Sequence, residues 1–146
     1  MLRSLLVLAL LLQTAPAVQF DSNRAWEHLR QLVSIGPRPS GSPAIEQSRK
    51  YITDQLAAAG VKAAEQKWID DTPAGKVPMV NLIATIPGAR KERIVIAGHY
   101  DTKRFTRFRF VGASDGGSSA AFLIELSRVL KTQRQSYTIE LLFLDG

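Results

Sequence analysis

Cysteine is absent from this 146-residue sequence. That removes disulfides, thiolate nucleophiles and cysteine-ligated zinc from consideration. Histidine is almost as scarce: His28 and His99 are the only two, so chemistry that needs an imidazole has two places to be. No apolar run approaches the roughly 20 residues that a membrane-spanning helix requires. Charged residues make up 22% and hydrophobic residues 45%, ordinary globular usage that argues against disorder. The length suits one domain, or part of a larger one. The net charge of +6 is partly local, with Lys103, Arg104, Arg107 and Arg109 in one stretch. Such a cluster either attracts acidic partners or forms a solvated rim.

The first residues read as a leader. Arg3 supplies a positive start, residues 5–12 are uninterruptedly apolar, and Ala15-Pro16-Ala17 has the small-x-small pattern of a signal-peptidase site. A signal peptide over residues 1–17 is therefore expected, with the mature chain at 18–146 secreted or periplasmic and holding no membrane span. Without a cysteine after the run, a lipoprotein anchor is excluded.

Trp26, Leu29 and Val33 share a face at i, i+3 and i+7, predicting a helix from about residue 21, capped by Asp21 or Ser22. His28, off that stripe, is expected to meet solvent. Pro37 stops the helix, and Ser42-Pro43 opens a second with Ile45, Ile52, Leu56 and Ala59 on its apolar side and Gly60 as its stop. Residues 61–69 and 77–86 read as an antiparallel strand pair. Residues 93–98 carry a continuous apolar run, expected of a strand covered on both faces. Residues 118–130 form a helix with Ala121, Leu123 and Ile124 inward and Glu125, Arg128 and Lys131 outward. Residues 138–144 are a buried strand. Strand, helix, strand implies a right-handed parallel crossover. The expected class is α/β: a mixed, largely parallel sheet flanked by helices.

Sites in open α/β sheets gather at the carboxyl ends of strands. His99 and Asp101 lie there, and alternation along an extended segment points both to one side. A carboxylate beside an imidazole orients the ring and raises its basicity. Asp115 sits on a glycine-rich turn at a helix start, where N–H groups stabilise a carboxylate. A cation such as zinc accepts this mixture of nitrogen and oxygen donors. The plainer readings stay open: a satisfied histidine at a strand end, and an aspartate that caps a helix. With His28 on the polar side of its helix, a serine–histidine pair has no support.

The stretch GHYDTK followed by FVGASDGGSSAAFLIELSRVL, with IGPRPSGS upstream and ELLFLDG downstream, resembles the zinc aminopeptidase and glutaminyl cyclase family. The resemblance runs from about Trp26 to Gly146. The Tyr-Asp-Thr-Lys continuation and the Phe-Val-Gly-Ala lead-in are more similar to the glutaminyl cyclase branch. The resemblance implies an α/β sandwich and one or two Zn²⁺ ions. It implies that Asp115 is a zinc ligand, His99 a ligand to the second zinc in two-metal members, and Asp101 the catalytic-site carboxylate that orients His99. Gly116 stands where many aminopeptidases carry asparagine.

In relatives a pair of glutamates follows the strand that here ends Leu144-Asp145-Gly146, one an acid/base and one a ligand. The sequence is therefore expected to be the N-terminal part of such an enzyme, inactive by itself. The implied substrate is a peptide or protein N-terminus, not nucleic acid. The best expectation is a glutaminyl-peptide cyclotransferase, which converts N-terminal glutamine to pyroglutamate with ammonia release. The alternatives are a zinc aminopeptidase and a non-catalytic binding domain with an incomplete metal site. The basic loop at residues 103–109, with Phe105, Phe108 and Phe110, either rims the substrate pocket or packs its phenylalanines inward.

Overall fold

Short-range chemistry sets the helix starts. The Asp21 carboxylate accepts hydrogen bonds from the Asn23 and Arg24 N–H groups at 2.8 and 3.4 Å, capping α1 (Ser22–Ile35). The Ser42 hydroxyl accepts from the Ile45 N–H at 3.2 Å and Pro43 fills the first turn of α2 (Pro43–Ala58). The computed structural model describes residues 17–73 and 75–146. The leader expected over residues 1–17 lies, apart from Ala17, outside the described residues.

Beyond α2 the chain forms β1 (Ala63–Thr72), β2 (Gly75–Ile86), β3 (Arg90–His99), the tight turn Ala113–Gly117, α3 (Ser118–Lys131) and β4 (Tyr137–Leu144). The sheet order is β1-β2-β4-β3. The expected hairpin is present: β1 and β2 pair antiparallel from Ala63↔Ala84 to Thr72↔Gly75. β4 inserts beside β2 antiparallel and beside β3 parallel, so β3, α3 and β4 form the expected crossover. The sheet is mixed, with β3–β4 its parallel pairing.

Alternation decides where the core lies. Leu82, Ala84 and Ile86 of β2 face the same way as their partners Phe143, Leu141 and Ile139 of β4. All six are buried, together with Leu32 of α1, Ile45, Ile52 and Leu56 of α2, and Ala120, Leu123 and Ile124 of α3. Among the described residues no helix is long and apolar enough to cross a membrane.

Four expectations are corrected. Trp26 is 64% exposed, because α1 turns Ala25, His28, Leu29 and Leu32 inward, a stripe one position away from the one that hydrophobicity suggests. His28 is buried, not solvent-facing, and its Nδ1 meets the Tyr51 hydroxyl of α2 at 2.8 Å. Glu125 is fully buried rather than outward. Its carboxylate accepts from the Asp21 N–H at 2.9 Å and from the Arg128 guanidinium, and pairs with Arg24 at 3.4 Å. Burial pushes the Glu125 carboxyl up, but the bonds from Arg128 and Asp21 prevail and hold it below its ordinary value. Finally, β3 is not covered on both faces. It is the end strand of the sheet, and Ile94 and Val95 are 46% and 52% exposed.

Candidate metal centre

The predicted trio comes together. His99 is the last residue of β3, and its ring is flanked by two carboxylates. Asp101 Oδ1 lies 2.9 Å from Nδ1 and Asp115 Oδ1 lies 3.0 Å from Nε2. Tyr100 between them points the other way and is fully buried, as strand alternation requires. The Asp115 side chain is 56% exposed and the His99 side chain 39%, whereas Asp101 is only 14% exposed. The ring is thus backed by an enclosed carboxylate and faces an open one.

That geometry has a chemical consequence. A neutral imidazole carries one N–H and one lone pair. If Nδ1–H donates to Asp101, the Nε2 lone pair confronts the Asp115 carboxylate, and two acceptors attract only through a cation between or beside them. A proton at Nε2 meets that need; so does a metal ion. Two donors on one tetrahedral zinc, each about 2.0 Å from it, stand roughly 3.3 Å apart. The 3.0 Å separation of Nε2 and Oδ1 suits shared coordination. Among the described residues these atoms do not extend to a group of three His, Cys, Asp or Glu side chains able to hold a metal. His99 and Asp115 fit as two ligands of a four-coordinate site, not as a complete one.

Asp115 owes its position to the turn. Within Ala113–Gly117 it has extended torsions (φ −103°, ψ 110°), and Gly116 follows at φ 80°, ψ −48°. The Gly117 N–H bonds back to the Gly112 carbonyl at 2.9 Å, closing the turn. Asp115 therefore does not cap α3; no side-chain hydrogen bond caps that helix. The turn also spells Gly-x-Ser-x-Gly from Gly112 to Gly116, so the letters of a nucleophile elbow are present. Its chemistry is not. Both His99 nitrogens are engaged by carboxylates, and His28 is bound to Tyr51. No imidazole serves Ser114.

Several residues that hold the centre carried no signal in the sequence. Asp145, buried just past β4, accepts from the Ser40 hydroxyl at 2.6 Å and the Val80 N–H at 2.9 Å. The Tyr100 hydroxyl donates to the Val80 carbonyl at 2.6 Å, and Arg49 Nε donates to that hydroxyl at 3.1 Å. Burial pushes the Tyr100 phenol far above its ordinary value, so it remains a neutral donor. The Tyr100 N–H bonds the Leu144 carbonyl at 3.0 Å, tying the ends of β3 and β4 together. Arg38, in the loop between α1 and α2, is fully buried. A lone arginine between two prolines gives no hint of that.

The loop after Thr102 settles the question of its phenylalanines. Phe105 stacks on Phe108 at 4.5 Å between centroids and meets Phe110 edge-on at 5.2 Å, with Lys103 Nζ 5.6 Å from the Phe105 ring. They pack on one another at the surface, with Phe108 56% exposed. Beside the loop a cleft of about 470 Å³ is lined by Pro39, Val77, Met79, Asp101 and Arg104. It reaches the same Asp101 that backs His99.

Comparison with known proteins adds the context. Residues 81–146 match the model of Peptidase family M28. The chain is 35% identical over 140 residues to the glutaminyl-peptide cyclotransferase-like protein of Mus musculus, covering 88% of this chain and 36% of that protein. The glutaminyl cyclase of an Acidobacteriales bacterium superimposes with a TM-score of 0.80 at 36% identity, over 92% of this chain and 49% of its own. A leucine aminopeptidase precursor from Bacteroides thetaiotaomicron gives a TM-score of 0.82 at 25% identity, over 90% and 49%. The chain thus spans between about a third and a half of these relatives' lengths. With the strand-end histidine, its two carboxylates and the mixed sheet in place, these matches identify the chain as a member of the zinc aminopeptidase and glutaminyl cyclase family.

Proposed function

We propose that the protein to which this chain belongs is an exported, zinc-dependent glutaminyl-peptide cyclotransferase. The observation that carries the reading is the His99 Nε2–Asp115 Oδ1 pair, two donors 3.0 Å apart at a strand end, in a chain whose relatives include glutaminyl cyclases. Asp115 would hold zinc, with His99 a ligand where a second ion binds, and Asp101 would keep the His99 ring turned toward it. Zinc bound there supplies a Lewis acid for the γ-amide carbonyl of an N-terminal glutamine. In the reaction the substrate α-amine bonds to the γ-carbonyl carbon, the carbon–nitrogen bond of the amide breaks, and ammonia departs with the amine's proton. This chain's share is to fix the donors and to border the cleft at Asp101, where the Arg104 and Lys103 side chains form a cationic lip. Export is supported by the leader-like residues 1–17.

One observation favours a second reading, a zinc aminopeptidase. His99 presents Nε2 toward Asp115 as a ligand of a second metal would, and a leucine aminopeptidase precursor is among the structural relatives. The two are separated by incubating the full-length natural protein, loaded with zinc, with a glutaminyl peptide and with a leucyl substrate. Ammonia release with formation of a pyroglutamyl terminus is expected. Release of leucine without ammonia would reject the cyclase in favour of the peptidase.

A further inference from the structure

We propose that Arg38 is the positioning residue of the metal centre, the side chain that sets the spacing between the His99–Asp101 strand end and the Asp115 turn. The inference rests on the zinc-centre reading above. Every hydrogen bond of the Arg38 guanidinium goes to a backbone carbonyl, and the carbonyls come from three separate segments. Nε donates to Tyr100 at 3.0 Å, between the two site residues of the strand end. Nη1 donates to Val111 at 2.8 Å and Nη2 to Gly112 at 3.5 Å, where the Asp115 turn begins. Nη1 also reaches Leu32 and Gly36 at the end of α1, both at 3.2 Å. Its backbone completes the junction: the Arg38 N–H donates to the Thr102 hydroxyl at 2.8 Å, and the Thr102 N–H donates to the Arg38 carbonyl at 3.1 Å.

The Ser119 hydroxyl also links the strand end to the turn, lying 2.9 Å from the His99 carbonyl and 3.1 Å from the Gly116 carbonyl, but Arg38 adds the end of α1 to that junction and reaches the turn at its start. Residues 102–112 leave the strand end and return as a surface loop, so the chain itself does not dictate how far Asp115 sits from His99. The planar guanidinium spans the gap with donors in a fixed fork, which an ammonium on a flexible stem does not reproduce. Burying such a cation costs several kcal/mol unless its charge is offset. The groups whose charges act favourably on Arg38 are Asp101 and Asp115, the carboxylates of the centre. Burial opposes the charged form of Arg38, and those two carboxylates favour it. The residue therefore both spaces the two carboxylates and stands behind them as fixed positive charge.

The test uses Arg38→Lys, which keeps a charge and loses the fork, in the full-length natural protein. Zinc affinity, read by competition with a chelator well below the variant's Tm, should fall by about 10- to 100-fold. The visible spectrum of the cobalt-substituted protein should shift. Ile52→Ala, a core substitution that removes no hydrogen bond of the centre, should lower Tm while leaving affinity and spectrum unchanged. Thr102→Val, which removes only the hydroxyl beneath the Arg38 N–H, should move affinity the same way by less, and serves if Arg38→Lys does not fold. In the metal-free protein, a crystal structure of the variant should show the His99 Nε2–Asp115 Oδ1 pair opened from 3.0 Å to beyond hydrogen-bonding range. Affinity within about threefold of wild type, with the pair still closed, would overturn the proposal whatever happens to Tm. If the wild-type protein binds no zinc, the metal-centre reading falls, and the metal-free geometry alone decides the role of Arg38.

Discussion

Gly116→Ala tests how tightly the centre depends on its turn. At φ 80°, ψ −48° Gly116 lies near the γ-turn with positive φ, a strained region for any L residue and outside the left-handed helical basin that asparagine tolerates. A Cβ there would stand 2.5 Å from the Asp101 carbonyl oxygen and 3.0 and 3.1 Å from Cε1 and Nδ1 of the His99 ring. Neither is the far end of a flexible side chain: one is backbone, and the other is held between two carboxylates. The backbone penalty is about 1–3 kcal/mol. Forcing a methyl into a packed site adds about 1–3 kcal/mol, for a total of roughly 2–6 kcal/mol, a large part of a domain's stability.

Urea denaturation with an unchanged slope would measure that loss. Gly75→Ala is the internal reference, because Gly75 also has positive φ (+99°) and a Cβ there would meet nothing within 4 Å. It should show the cost of its own positive-φ backbone without any steric contact. A Gly116→Ala cost no greater than that of Gly75→Ala would refute the argument that His99 and Asp101 crowd this position. Gly116→Asn should be at least as costly, so this turn accommodates glycine where the aminopeptidase pattern has asparagine.

Two further outcomes follow from the helical layer. Glu125→Ala should destabilise the fold by about 3 kcal/mol, since it removes the buried partner of Arg128, Arg24 and the Asp21 N–H; a loss below about 1 kcal/mol in urea titration would count against this. Burial, with the Arg24 charge adding to it, holds His28 below its ordinary value of 6.5, while Glu125 and Glu27 oppose that shift less strongly. The unfolded chain therefore takes up this proton first, and the His28 contribution is intact above about pH 6.5 and declines as pH falls below it. His28→Gln should flatten the dependence of Tm on pH in that window, and an unchanged slope would show that other groups cause it.

What was legible in the sequence was local. Asp21 and Ser42 announce their helices because caps act within three residues, and the β1–β2 pair follows from two apolar runs around a polar turn. His99, Asp101 and Asp115 were recoverable because strand alternation and a glycine-rich turn constrain them over short spans. The failures share a cause: burial depends on neighbours that the local pattern does not name. α1 packs against both α2 and α3, so its inward arc takes in His28 and leaves out Trp26. Glu125 reads as outward by type, yet Arg24 and the Asp21 N–H at the start of α1 reach it from far along the chain and join Arg128, three residues away on α3. β3 reads as doubly covered by composition, but its place at the end of the sheet order leaves Ile94 and Val95 open.

The loop between α1 and α2 shows how a segment without chemistry can govern a site. Arg38 grips the Tyr100 carbonyl, and two residues later Ser40 donates to Asp145. Tyr100 and Asp145 are themselves linked through the Val80 peptide, whose carbonyl accepts from the phenol and whose N–H donates to the carboxylate. One short loop therefore holds the carboxyl ends of β3 and β4 together, the edge where function gathers in sheets of this kind. The consequence is a division of labour along the chain. Residues 36–40 and 79–80 contribute rigidity and no ligand, while His99 and Asp115 contribute donors and little rigidity of their own. A site divided in this way is expected to lose geometry before it loses fold, because the sheet residues Leu82, Leu141 and Phe143 of the core make no hydrogen bond to the Arg38 fork.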